Sequence, residues 1–91
     1  MKISHFNWDE ENVNHIARHG VDPEEVEEVF ENSCLIALGR NGAYLAFGRA
    51  DSGRFLIVVF RYLGNASALT ITARDMSERE KRYFRKRCEN G

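Results

Sequence analysis

Phe55-Leu56-Ile57-Val58-Val59-Phe60 is the stretch on which the fold turns, a six-residue apolar run with Arg54 before it and Arg61 after it. It is apolar on both faces, as expected of a central strand covered on each side. It is also far shorter than the roughly 18 residues of a membrane span. Working outward, Gly64-Asn65 marks a turn, and Ala68 to Arg74 alternates. Leu69, Ile71 and Ala73 fall on one face of that strand and Thr70, Thr72 and Arg74 on the other, a polar face where a ligand could lie. Upstream, Asp51-Ser52-Gly53 and Gly39-Arg40-Asn41-Gly42 are turn clusters that bound strands from Tyr44 to Gly48 and from Cys34 to Leu38. A short strand from Lys2 to Phe6 can join the sheet.

Further upstream the period becomes helical. Trp8 to His19 places Val13, Ile16 and Ala17 on one face, with Asn7 or Asp9 as cap and Gly20 suited to the left-handed position after the last turn. The next helix starts at Asp22 as N-cap, with Pro23 in the first helical position and Glu25 completing a capping box. Val21 and Val26 can staple its entry. Val26, Val29 and Phe30 form its buried stripe, leaving Glu24, Glu27, Glu28 and Glu31 towards water or a basic partner. It should stop near Asn32. After the strands, Ser77 and Glu80 open a third helix that carries Tyr83, Phe84 and Cys88 inward. The expected class is therefore α+β: two N-terminal helices, an antiparallel sheet of about four strands and a C-terminal helix, in a single domain over residues 1–91.

The net charge of −1 hides a dipole. Residues 1–31 hold nine acids and two bases, a balance of −7, whereas residues 32–91 hold eleven bases and five acids, a balance of +6. Such polarity points to a partner more readily than the total does. The N-terminus lacks the apolar stretch of a signal peptide, so a cytoplasmic location is expected, without a membrane. Cys34 and Cys88 form no CxxC pair and read as buried, reduced thiols.

Two groups of side chains could carry chemistry. His15 and His19 are four apart on the first helix and share a face, with Asn12 extending the polar stripe. That spacing could begin a metal site, but no further ligand of the usual kind follows, and the bland alternative is a histidine bonding free carbonyls at a helix end. The second group is arginine, ten of the thirteen basic residues, a bias suited to bidentate phosphate recognition. Arg40, Arg49 and Arg54 fall in turns or at strand ends, and Arg61 and Arg74 close strands. Arg79 to Arg87 read equally well as a solvated helix face. An arginine-rich rim with histidines and a tyrosine can cleave RNA without a metal: one group takes the 2′-hydroxyl proton, another protonates the leaving oxygen, and cations hold the transition-state charge.

Phe6-Asn7-Trp8-Asp9, Asn12, His15-Ile16-Ala17-Arg18-His19-Gly20-Val21, the acidic helix after Pro23, Gly48-Arg49, Gly53-Arg54 and Ile71-Thr72-Ala73-Arg74 with Glu80 and Tyr83 together resemble the BrnT family of toxins. These blocks span nearly the whole chain in order. Arg18 stands where that family more often has lysine, Thr72 where it has serine, and Asp75 where a base is common. The resemblance implies a RelE-like fold and a metal-independent endoribonuclease of a type II toxin–antitoxin system that stops translation. It further implies a cognate DNA-binding antitoxin of the ribbon-helix-helix, BrnA-like kind, and no cofactor. A homodimer and a toxin–antitoxin hetero-oligomer are both open to such a chain. By position, His19, Arg49, Arg54 and Arg74 match the family's motif residues, and Arg61 matches more loosely; the roles expected are acid or base for His19 and His15, stabilisation of the scissile phosphate for Arg61 and Arg74, and RNA binding for Arg18, Arg49, Arg54 and Tyr83. A non-catalytic module binding RNA or protein on the same fold is the alternative, and salt-dependent binding without cleavage would mark it.

Overall fold

The computed structural model describes residues 1–32 and 35–89. Its elements run β1 (His5–Asn7), α1 (Glu10–Ala17), α2 (Pro23–Glu31), β2 (Leu35–Leu38), a 3-10 turn (Arg40–Gly42), β3 (Tyr44–Arg49), β4 (Phe55–Gly64), β5 (Ser67–Asp75) and α3 (Glu78–Phe84), which widens into π-helical turns over Arg85–Glu89. The five strands form one sheet in the order β1-β5-β4-β3-β2, so the apolar run of residues 55–60 does lie in its middle strand. β2 to β5 are an antiparallel meander, and β1 adds to β5 in parallel. The sheet is thus mixed and five-stranded, because the N-terminal strand joins it at His5–Asn7.

Helix starts follow the side chains available to take the free backbone N–H groups. Asp9 caps α1 by accepting from Asn12 N at 2.8 Å, so the helix begins at Glu10. Asp22 and Glu25 form a reciprocal capping box on α2, and Ser77 and Glu80 do the same on α3. Each such cap is worth about 1 kcal/mol. Gly20 has φ +70°, a left-handed conformation that lets the chain reverse from α1 into α2 without a Cβ penalty.

β4 is buried on both faces by alternation. Leu56, Val58 and Phe60 point to α1 and α2, where Ile16, Val21, Val26 and Val29 complete the larger core. Phe30 meets Phe60 edge-on at 5.2 Å. Ile57 points the other way and packs with Phe47, Met76 and Phe84, the smaller core beneath α3. Fully burying side chains of this size contributes about 1.5–3 kcal/mol each.

Four details depart from expectation. A register shift between Val59 and Phe60 sets Val59 opposite Thr72 but Phe60 opposite Thr70. The extra residue turns Thr70 inward, fully buried with its hydroxyl unpartnered among the described residues, so Thr70, Thr72 and Arg74 do not share one polar face. β4 also runs on to Gly64, which leaves Arg61 inside the strand instead of closing it. Cys88 is exposed and free, because the turns widen after Phe84; Cys34 lies outside the described residues. On α2, Glu27 accepts from Trp8 Nε1 at 2.8 Å and Glu28 from Asp51 N at 3.0 Å, so these two acids are engaged within the molecule.

Candidate active site

Arg49, Arg54 and Arg74 stand at the end of the sheet where β4 begins and β5 ends, with Arg49 and Arg74 on the α3 face, whereas His15 and His19 belong to α1 and the turn after it, on the opposite face. α1 is pinned by the fully buried Ile16, which leaves His15 and His19 outward. Their ring centroids lie 6.5 Å apart. His15 and Arg18 line a shallow groove of about 500 Å³ with Glu10, Glu11 and Asn14.

Arg54 ties this corner to the sheet. The reversal at Gly20 presents two carbonyls, and the guanidinium donates to both, to Gly20 O at 2.7 Å and His19 O at 3.2 Å. It also donates to Asp75 through Nε at 2.7 Å and Nη2 at 3.1 Å, and to Glu25 through Nη1 at 3.2 Å. The hydrogen bonds it donates to Asp75, followed by those to Glu25, hold the guanidinium well above its ordinary pKa, and the same contact holds Asp75 below the usual carboxylate range. Arg54 is therefore a clamp joining α1, α2 and β5, with its donors directed at protein.

Arg74 stands next along β5, on the α3 side. Its two terminal nitrogens pair with both oxygens of Glu80 at 2.8 and 2.9 Å, and Nη1 also reaches Asp75 O at 3.0 Å. Glu80 serves the α3 cap at the same time, accepting from Ser77 N at 2.7 Å. The fork from Arg74, aided by the Ser77 backbone, holds the Glu80 carboxyl down at about 2.

Across the sheet, Arg49 lies over the Phe55 ring with its guanidinium carbon 4.3 Å from the centroid. Arg85 approaches the same ring at 4.8 Å and Lys81 at 5.7 Å. Phe55 is directly opposite Arg49 in the β3–β4 ladder, so the pleat puts both on the α3 side. Arg49 also donates to Gly53 O at 3.2 Å and pairs with Glu89 at 3.1 Å. Gly53 has φ +94°, and a Cβ there would sit 3.1 Å from an Arg49 nitrogen. A cleft of about 720 Å³ runs below, lined by Asn32, Arg49, Asp51, Phe84 and Glu89 among others.

The cationic group around Phe55 was hidden in the sequence: Lys81 and Arg85 read there as part of a solvated helix face, and Phe55 only as core. The signal that could have exposed it is the hairpin turn of residues 50–54, which forces Arg49 and Phe55 to face each other. Tyr83 packs on Phe47 at 5.3 Å beneath the Arg87 guanidinium at 4.1 Å and is 37% exposed. Arg61 stands apart. It pairs with Leu69, whereas Arg74 pairs with Ile57; four strand positions at about 3.3 Å each put Arg61 some 13 Å along β4 from the Arg74 row. There it donates to Asn41 O at 2.8 Å. No group of three or more metal-ligating side chains forms among the described residues.

A mixed five-stranded sheet with two helices on one face and one on the other defines a small α+β protein with an arginine-rich sheet end. The family model for the ribonuclease toxin BrnT of type II toxin–antitoxin systems matches residues 8–80, and the chain belongs to that family. Its fold is similar to the crystal structure of the Brucella abortus ribonuclease toxin BrnT, with 25% identity and a TM-score of 0.64, over 86% of this chain and 99% of that one. No curated protein matches. No helix is long and apolar enough to cross a membrane among the described residues.

Proposed function

We propose that this chain is a metal-independent endoribonuclease toxin that inhibits translation and is neutralised by a cognate DNA-binding antitoxin. The observation that carries the reading is the rim itself. Two outward imidazoles 6.5 Å apart sit on a helix end that Arg54 ties to Asp75, one residue from Arg74. An imidazole changes charge near neutral pH and can act as base or acid. In the proposed reaction one of the two histidines takes the ribose 2′-hydroxyl proton as the O2′–P bond forms. The other protonates the leaving O5′ as the P–O5′ bond breaks, giving a 2′,3′-cyclic phosphate and a 5′-hydroxyl. Arg18 lies beside His15 to meet the phosphoryl charge, Arg74 lies beyond Asp75, and Arg49 with Phe55 offers a cation and a ring face for the flanking strand.

The carboxylates on Arg49, Arg54 and Arg74 occupy forks that would otherwise hold the charge of the scissile phosphate, and so favour a second reading, a non-catalytic module that binds RNA or protein on the same fold. Purified chain incubated with RNA in excess chelator separates the two. Wild type is expected to cleave, His19→Ala to lose at least about 100-fold in rate, and Arg74→Ala to lose less. Absence of cleavage by wild type, or unchanged cleavage by both variants, removes the catalytic assignment.

A further inference from the structure

The smaller core is only half covered. α3 seals the cross-strand row of Phe47 and Ile57 with Phe84 and Met76. One row further along the sheet, Leu45 faces Val59 and Val59 faces Thr72, and beyond them Arg61 faces Leu69. Val59 and Leu69 are part-buried yet belong to neither core cluster. A mainly apolar cleft of about 580 Å³ opens here, its walls including Leu38, Ala43, Leu45 and Val59, with Arg40 at its side. Leu38 is 72% exposed. An apolar surface of this kind, edged by charge, marks an interaction site more often than a scattering of single residues does.

We propose that this end of the sheet is the docking surface for an amphipathic segment of the antitoxin, one that presents aliphatic side chains flanked by carboxylates. The proposal rests on the reading of the chain as the toxin of a toxin–antitoxin pair. The occupant follows from charge. Arg49, Arg54 and Arg74 each pair with a carboxylate, whereas Arg40 and Arg61 have no carboxylate partner among the described residues. Two uncompensated guanidinium groups beside an apolar floor call for an acidic and apolar partner. A second copy in twofold contact would bring Arg40 and Arg61 against their own counterparts, at a cost in like-charge repulsion. RNA would satisfy the arginines but not the floor, whose walls are aliphatic and lack the aromatic faces on which bases stack. The surface lies at the opposite end of β4 from the imidazole pair, so the antitoxin would anchor away from the residues proposed for cleavage.

The test is the affinity of the purified chain for its antitoxin, measured by calorimetry for wild type and for the double variant Leu38→Asp with Arg40→Glu. Both positions are at the surface, and thermal melting reports that the variant is folded. Binding is expected to weaken at least tenfold, with RNA cleavage by the free chain unchanged and no longer suppressed by an antitoxin concentration that silences wild type. Wild-type affinity in the folded double variant overturns the proposal, as does absence of antitoxin binding by wild type. A change in RNA affinity alone assigns the surface to RNA instead, and a shift from dimer to monomer assigns it to self-association; either result also overturns it. Loss of RNA cleavage by wild type, with antitoxin binding retained and weakened in the double variant, would remove the ribonuclease reading and leave the docking surface standing.

Discussion

Arg54 and Arg61 bracket the same apolar run, one residue before it and one after, and the fold treats them in opposite ways. Arg54 donates to two carboxylates, on α2 and β5, and to two main-chain carbonyls of the reversal between α1 and α2. Among the described residues Arg61 makes a single side-chain hydrogen bond, to the carbonyl of Asn41 in the neighbouring turn. The ends of β4 differ accordingly: one is a web of ion pairs that holds the layers together, the other an apolar cleft with cations that have no carboxylate partner among the described residues. Arginine at a strand end is thus no guide by itself to phosphate binding, because the fold can use its fork as a joint.

The sharpest way to break this comparison is to remove the joint. Arg54→Ala leaves Asp75, Glu25 and the carbonyls of His19 and Gly20 without their donor, and charged hydrogen bonds of this kind are worth about 1.5–3 kcal/mol. Discounted for the exposure of Asp75, a loss of about 2 kcal/mol is expected, or a fall in Tm of roughly 8–16 °C for a domain of this size. Arg61→Ala should cost less than about 0.5 kcal/mol, the range of ordinary surface changes. Urea titration of both variants decides. Equal losses would mean that the two ends are not mechanically different.

A smaller effect distinguishes the ends by pH. Glu80 sits at about 2 in the folded chain, below the ordinary 4.5, because Arg74 favours its charged form. Asp75 is also held low, by Arg54. A carboxylate with a depressed folded pKa binds fewer protons folded than unfolded, so its contribution is complete above about pH 4.5 and drains away as the pH falls towards 2. Thermal melting of wild type should therefore show a loss of stability across that window, and Glu80→Gln should flatten it while lowering Tm at neutral pH. An acid limb unchanged in Glu80→Gln would place the titrating groups elsewhere.

Much of this was legible in the chain, for local reasons. Caps at Asp22 and Ser77 and the central strand depend on spacing that a sequence carries openly. The expected proximity of His15 and His19 supposes a helix running to His19; α1 in fact ends at Ala17, and a tightened turn carries the chain on through His19. Non-local partners were not legible: Arg54 meets Glu25 and Asp75, 29 and 21 positions away, and nothing in its neighbours distinguishes it from Arg61. The same holds for the cations gathered on Phe55, which come from β3 and α3. Strict alternation also failed at Thr70, because one register shift reverses every residue beyond it.

That shift supplies the smallest test. Thr70 lies past the irregularity, opposite Phe60 and fully buried, with its hydroxyl unpartnered among the described residues. A buried hydroxyl without a partner keeps its desolvation cost and gains nothing in return. Val has nearly the same shape and no hydroxyl, so Thr70→Val should hold stability or raise it by up to about 1 kcal/mol. If the substitution instead lowers the urea midpoint, the hydroxyl has a partner in solution, and the helix-covered face beyond the shift is less apolar than the far end of β4 requires.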